Sequence, residues 1–202
     1  KPKRIMTDSP IQVIDNFLDD QDFKDLADAC MRSHIYMCLP ATAYLNENDG
    51  SIDACGMDDE LAKGKKPHEA MMQAVLVSKF STFQNVNDLY LMLYDIFKKV
   101  QLKLDVKTLW MARVNVTTAA AENYVGSLHE DNHQHPRKEY MHVAILYLNS
   151  NNGGTKFEDG TFVESKFNRC VIFPRHIKHA GVWCTNRKLR YVMNLNYEKN
   201  DE

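Results

Sequence analysis

Apolar and polar positions alternate through Ile11 to Leu18, the period of a short strand running into a turn. Asp19 or Asp20 then stands where a helix cap belongs. Phe23, Leu26, Ala27 and Cys30 recur on one face of a helix expected from about Gln21 to Arg32. From Cys38 to Lys66 the period is lost, and a polar stretch with Gly50, Gly56 and Gly64 reads as a long functional loop. Pro67 suits the first turn of a second helix running to about Lys79. A third helix is expected from about Asn87 to Gln101, with Leu89, Leu93, Ile96, Phe97 and Val100 at helical spacing. These stripes read as core packing.

After Leu104 the pattern shortens. TLWMARVNV, MHVAILYLN, GTKFEDG, TFVES, NRCVIFP and RYVMNLNY follow one another as short strands, separated by turns such as Asn152-Gly153-Gly154 and Asp159-Gly160. Helices first and strands afterwards, with no internal repeat and no low-complexity linker, predict a mainly β protein. Its N-terminal helices would buttress one face of a jelly-roll core.

Composition narrows the partners. The 202 residues are 44% hydrophobic and 26% charged, enough for a sizeable core and contrary to disorder throughout. Acids number 27 against 25 bases, which disfavours a nucleic-acid partner held by bulk charge, and Lys1, Lys3 and Arg4 suit a frayed terminus. The longest apolar run, around Val143 to Leu148, is strand-sized, short of the ~18 residues that span a bilayer, so no membrane partner is expected. Cys30, Cys38, Cys55, Cys170 and Cys184 are odd in number and irregular in spacing. They are expected as reduced thiols in the cytoplasm.

Four features of the strand-rich half carry candidate chemistry. His129 and Asp131, two apart in extended chain, project to the same side. His179 follows the strand that ends Ile172-Phe173-Pro174; Arg190 opens the last alternating strand; Tyr147 lies in the strand between. Two imidazoles and a carboxylate make the facial triad that leaves positions open on non-haem Fe(II). An arginine deeper in the barrel suits a bidentate clamp on the far carboxylate of a dicarboxylate ligand, and a tyrosine hydroxyl can share it. His176 competes with His179 for the distal place, and Arg187 and Lys188 compete with Arg190. Tyr124 is divided evenly between lining the mouth and packing. Two other classes stand beside this reading. One is a cupin-type metal enzyme using His133, His135 and Glu139, with His179 as a fourth ligand, although the PxG turn of that signature is replaced by Pro174-Arg175-His176. The other is a non-catalytic jelly-roll binding module. Zinc hydrolase chemistry finds no paired cysteine ligands.

The segment from about Trp110 to Tyr197 resembles the Fe(II)/2-oxoglutarate-dependent dioxygenases, in particular their prolyl 4-hydroxylase-like branch. The matching pieces are His129-Glu130-Asp131-Asn132, Ile145 to Asn149, Gly153 to Phe157, Asn168 to Pro174 followed by His179, and Arg190 to Asn196. Ile14 to Leu18 and the helix after it match the entry to that domain loosely, and Cys38 to Leu104 matches nothing. The resemblance implies a double-stranded β-helix with iron on His129, Asp131 and His179, Arg190 as the 2-oxoglutarate clamp and Tyr147 as its neighbour. It implies one domain over 1–202, with 1–104 as N-terminal strand, support helices and insertion and 105–198 as the catalytic core. The implied cofactors are Fe(II), 2-oxoglutarate as cosubstrate and O2, with ascorbate as an optional reductant. The implied reaction is hydroxylation of a C–H bond with succinate and CO2 as coproducts. The substrate is a peptide, a protein or a small molecule, with peptidyl proline the default by analogy.

Overall fold

The computed structural model describes residues 9–32, 92–126, 128–131 and 140–200, together with the backbone of strands at 37–39, 44–45, 52–53 and 70–77. In chain order the elements are β1 (Gln12–Ile14), α1 (Asp20–Arg32), β2 (Met37–Leu39), β3 (Tyr44–Leu45), β4 (Ile52–Asp53), β5 (Ala70–Val77) and α2 (Tyr94–Leu104). Then follow β6 (Val106–Thr118), β7 (Met141–Tyr147), β8 (Gly154–Phe157), β9 (Phe162–Glu164), β10 (Arg169–Pro174), β11 (His179–Val182) and β12 (Leu189–Lys199). A seven-stranded sheet runs β1-β10-β7-β12-β6-β5-β2, a three-stranded sheet runs β11-β8-β9, and β3 pairs with β4. Every strand pairing is antiparallel. Among the described residues no helix is long and apolar enough to cross a membrane.

The period of two along the central strands divides the large sheet into two faces. Ala112, Val114 and Val116 of β6, Ala144 and Leu146 of β7, and Met193, Leu195 and Tyr197 of β12 lie in one buried cluster. Phe23, Leu26 and Cys30 of α1 and Phe97, Val100 and Leu104 of α2 complete it. The helices therefore buttress the outer face, as the order of patterns predicts. On the inner face Val143, Ile145, Tyr147, Val171, Phe173 and Val192 meet Phe157 and Val163 of the small sheet. The two sheets close on each other as a jelly roll, and β7 and β10 are apolar on both sides because both sides are covered.

The helix expected over Pro67 to Lys79 is not formed where the chain is described. Ala70–Val77 is strand β5, antiparallel to β6 with Ala70 opposite Thr117 and Val77 opposite Met111. A short apolar run such as AMMQAVLV satisfies either period. The long edge of β6, with its row of backbone donors and acceptors, decides the matter. The Cys38 to Lys66 loop likewise contains β2 residues Cys38 and Leu39, β3 and β4. The third helix ends at Leu104, later than its apolar stripe predicts. Asp105 caps it in the left-handed region at φ 57° and donates to the carbonyls of Gln101 and Leu102. Residues 87–91 lie outside the described residues.

Asn168 and Asp15 tie the N-terminal strand to the core. Asn168 accepts from the Leu18 N–H at 2.9 Å and donates to the Leu18 carbonyl at 2.8 Å. The Asp15 carboxylate accepts from Arg169 Nε at 2.6 Å and from Lys166 at 3.0 Å. Where β8 begins, Gly154 lies so close to β9 that a Cβ would run into the Val163 carbonyl and the Phe162 ring. Gly154→Ala is therefore expected to cost about 3 kcal/mol, the upper range for overpacking. A urea midpoint unchanged by that substitution would remove the close approach as its cause.

Candidate metal centre

The small sheet and the segment after β6 bring the candidate ligands together. His179 opens β11. Its N–H donates to the His129 carbonyl, and the His129 N–H donates to the His179 carbonyl, both at 2.9 Å. This antiparallel bridge sets the imidazoles side by side, with ring centroids 4.6 Å apart. Asp131 then turns its carboxylate into the gap, with Oδ1 3.5 Å from His129 Nε2 and 4.0 Å from His179 Nε2. One ligand atom from each of the three lies within 4.8 Å of the others.

Burial sets the protonation states. It pulls the His179 imidazole down to about 4, and the Asp131 charge offsets only part of this. A carbonyl can only accept, so Nδ1 of His179, 3.3 Å from the Ile177 oxygen, carries the proton and Nε2 keeps its lone pair toward Asp131. Burial would push the Asp131 carboxyl up, but the hydrogen bond from His129 and the charges of His179, His129 and Arg113 hold it well below the usual carboxylate range. Its Oδ2 is buried and has no hydrogen-bond partner among the described residues. A neutral imidazole donor beside an ionised carboxylate with an unused buried oxygen is a donor set that fits a divalent transition metal. His176, the rival to His179, is exposed and is not part of the group.

The sign of the His179 shift gives a test on metal-free protein. Below the unfolded value of 6.5 the unfolded chain takes up a proton that native His179 refuses, so stability falls as pH drops from about 6.5 to 4. The loss from His179 is at most roughly 3 kcal/mol, one pKa unit being about 1.36 kcal/mol. His142, also pulled down by burial, steepens the same slope. Urea midpoints from pH 7 to 4 should show the slope, and His179→Gln should flatten it.

Arg190, 5% exposed, stands on the inner face of β12. Its Nη2 donates to the Gly154 carbonyl at 2.8 Å, and its guanidinium lies 5.9 Å over the Tyr147 ring. Its Nε is buried without a hydrogen-bond partner, and no carboxylate pairs with it among the described residues. A Cβ on Gly181 would stand 3.9 Å from Arg190 Nη1. Gly181 and His179 share one face of β11, about 7 Å apart at strand rise. The buried cation thus sits one short molecule away from the triad. Tyr147 donates to Thr155 Oγ1 at 2.7 Å, and burial pushes its hydroxyl up to about 12. The rivals Arg187 and Lys188 are exposed, and Tyr124 packs edge-on against Trp183 with centroids 5.4 Å apart. His133, His135 and Glu139, the residues of the cupin alternative, lie outside the described residues.

No family model matches the chain, and no curated protein matches it. Solved structures do. A 2OG-Fe(II) oxygenase family oxidoreductase from Burkholderia pseudomallei superposes with a TM-score of 0.65 at 9% identity, covering 95% of this chain and 86% of its own. A prolyl-4-hydroxylase from Pseudomonas putida gives 0.53 at 16% identity, covering 95% and 94%. SnoN, the non-heme alpha ketoglutarate dependent epimerase from nogalamycin biosynthesis, gives 0.61 at 11% identity, covering 95% and 79%. The fold is that of the 2OG-Fe(II) oxygenases.

Within that fold, several polar residues that the sequence pattern does not single out carry buried polar atoms. Thr155 holds the Tyr147 hydroxyl. Arg113, Asn115 and Thr117 of β6 face inward, as do Asn194 and Asn196 of β12, each carrying a buried polar atom without a partner among the described residues. Their signal was present in the sequence. They are polar members of the period-two series Met111 to Thr117 and Arg190 to Asn196, and the positions between them, Ala112, Val114, Val116, Met193 and Leu195, are core.

Proposed function

We propose that the protein is an Fe(II)- and 2-oxoglutarate-dependent dioxygenase that hydroxylates an unactivated C–H bond, with succinate and CO2 as coproducts. The observation that carries this reading is the convergence of His129, Asp131 and His179 next to a buried, acid-free Arg190. In it His129, Asp131 and His179 hold the iron. Two neutral imidazoles and one carboxylate leave a divalent ion with net positive charge, which favours an anionic cosubstrate. Arg190 takes the far carboxylate of 2-oxoglutarate through its unused guanidinium edge, and Tyr147 adds its hydroxyl. Phe157 and Phe173 pack on the His179 ring and keep bulk water from that side. Iron with 2-oxoglutarate and dioxygen supplies the oxidising chemistry when bound.

The substrate reading attached to this is a prolyl residue in a peptide, supported by the likeness to a prolyl-4-hydroxylase at the level of fold. The domain reading is one unit over 1–202, with 105–198 as the catalytic core. Anaerobic titration of Fe(II)-loaded protein with 2-oxoglutarate should raise a weak visible charge-transfer band. Its absence with metal bound would overturn the reading and favour the His133, His135 and Glu139 site.

A further inference from the structure

The inner face of β6 and β12 carries several buried polar side chains besides the clamp residue Arg190. Register lays it out in rows across β6 and β12: Thr117 beside Arg190, Asn115 beside Val192, Arg113 beside Asn194, and Met111 beside Asn196. Arg190 belongs to the first row. The Arg113–Asn194 row is four residues further along the strand, about 13 Å away. Arg113 therefore stands away from the clamp and at the triad end of the wall, where Asp131 feels its charge.

This wall holds Arg113 Nε, Asn115 Oδ1, Asn194 Oδ1 and both side-chain polar atoms of Asn196, all buried and without partners among the described residues. Asn196 is fully buried and Asn194 is 6% exposed. A buried polar atom left unsatisfied costs roughly 1–3 kcal/mol, so five together are tolerated where a ligand completes them. A guanidinium is a permanent cation whose planar edge matches a carboxylate. Arg113 has Asp131 within electrostatic reach, but that carboxylate serves the triad. Carboxamides beside the guanidinium supply acceptors for N–H groups and a donor for a second oxygen.

Resting on the dioxygenase reading, we infer that Arg113, Asn194 and Asn196 bind the α-carboxylate and adjoining N–H of the residue to be oxidised. The substrate is then an amino acid with a free carboxylate, either alone or as the C-terminal residue of a peptide, in place of the internal prolyl residue that likeness of fold alone suggests. Arg113 anchors the carboxylate, and the two asparagines fix the orientation of the carbon chain toward the triad.

Full-length protein loaded with Mn(II) and 2-oxoglutarate tests this without turnover, through paramagnetic relaxation of ligand protons. The probes are the free amino acids, acetylglycyl dipeptides with a C-terminal acid, and the C-terminal amide of each. Relaxation of a free acid or of an acid-ended dipeptide, with its amide at least ~10-fold weaker, is the expected result, in line with loss of a charge-assisted hydrogen bond. The two acid series separate a free amino acid from a peptide end. Arg113→Met should abolish the acid preference and Arg113→Lys restore part of it, both with 2-oxoglutarate still relaxed. Equal relaxation of acids and amides would overturn the inference, as would silence of every probe while 2-oxoglutarate is relaxed. A loss in Arg113→Met that falls on 2-oxoglutarate would assign the wall to the cosubstrate instead. Failure of 2-oxoglutarate itself to be relaxed by the wild-type protein would bring down the dioxygenase reading and this inference with it.

Discussion

An Asp131→Ala variant is expected to lose ferrous iron by more than about 100-fold in affinity, beyond the range seen for outer partners of a metal ligand. The carboxylate supplies the one negative charge among three ligands, and its Oδ2 has no other hydrogen bond among the described residues to keep it there. The apoprotein should melt somewhat lower than wild type but still cooperatively, because the folded state holds the Asp131 carboxyl ionised well below the usual range and that stabilisation goes with the side chain. Equilibrium dialysis with Fe(II) and a melting curve of the same sample separate loss of a ligand from loss of the fold. His129→Ala should behave alike for metal, since its Nε2 lies 3.5 Å from the same oxygen. Replacing His133 and His135 together should spare the metal. Full iron retention in either ligand variant would remove the triad.

The strand-rich half was legible because its signals are local. The alternation in RYVMNLNY predicts that Arg190 faces one way and Met193 the other, and the sheet divides there. His179 opens a short strand, and Gly181 two residues on lies beside the Arg190 side chain. The first half was less legible. Ala70–Val77 has no period strong enough to oppose the pairing that β6 offers, and pairing between residues some forty positions apart is invisible to a local pattern. The polar wall escaped notice for another reason. An arginine or asparagine between core residues reads from sequence as a solvent-facing position of a half-exposed strand. In the structure Asn196 is fully buried on the inner face of β12, a burial set by distant packing and not by local sequence.

Arg190→Met should raise the 2-oxoglutarate requirement by roughly 100-fold or more, because truncating one partner of a buried charge pair costs about 2–5 kcal/mol. Iron binding should hardly change, since Arg190 touches Gly154 and Tyr147 and none of the three metal ligands among its described contacts. Stability of the ligand-free protein discriminates the clamp from a structural role. Burial penalises the Arg190 charge, and among the described residues no carboxylate offsets it. Methionine in that space forfeits the bond to the Gly154 carbonyl but removes an uncompensated cation, so the apoprotein should melt at or above wild type. Wild-type protein should gain far more thermal stability from 2-oxoglutarate than the variant does, because only the wild type binds it at the concentrations used. An unchanged requirement would shift the clamp to Arg187 or Lys188, which would then have to turn inward from the exposed turn before β12. A collapse of apoprotein stability would instead make Arg190 a structural tie between β12 and β8, and the carboxylate-binding role would be lost.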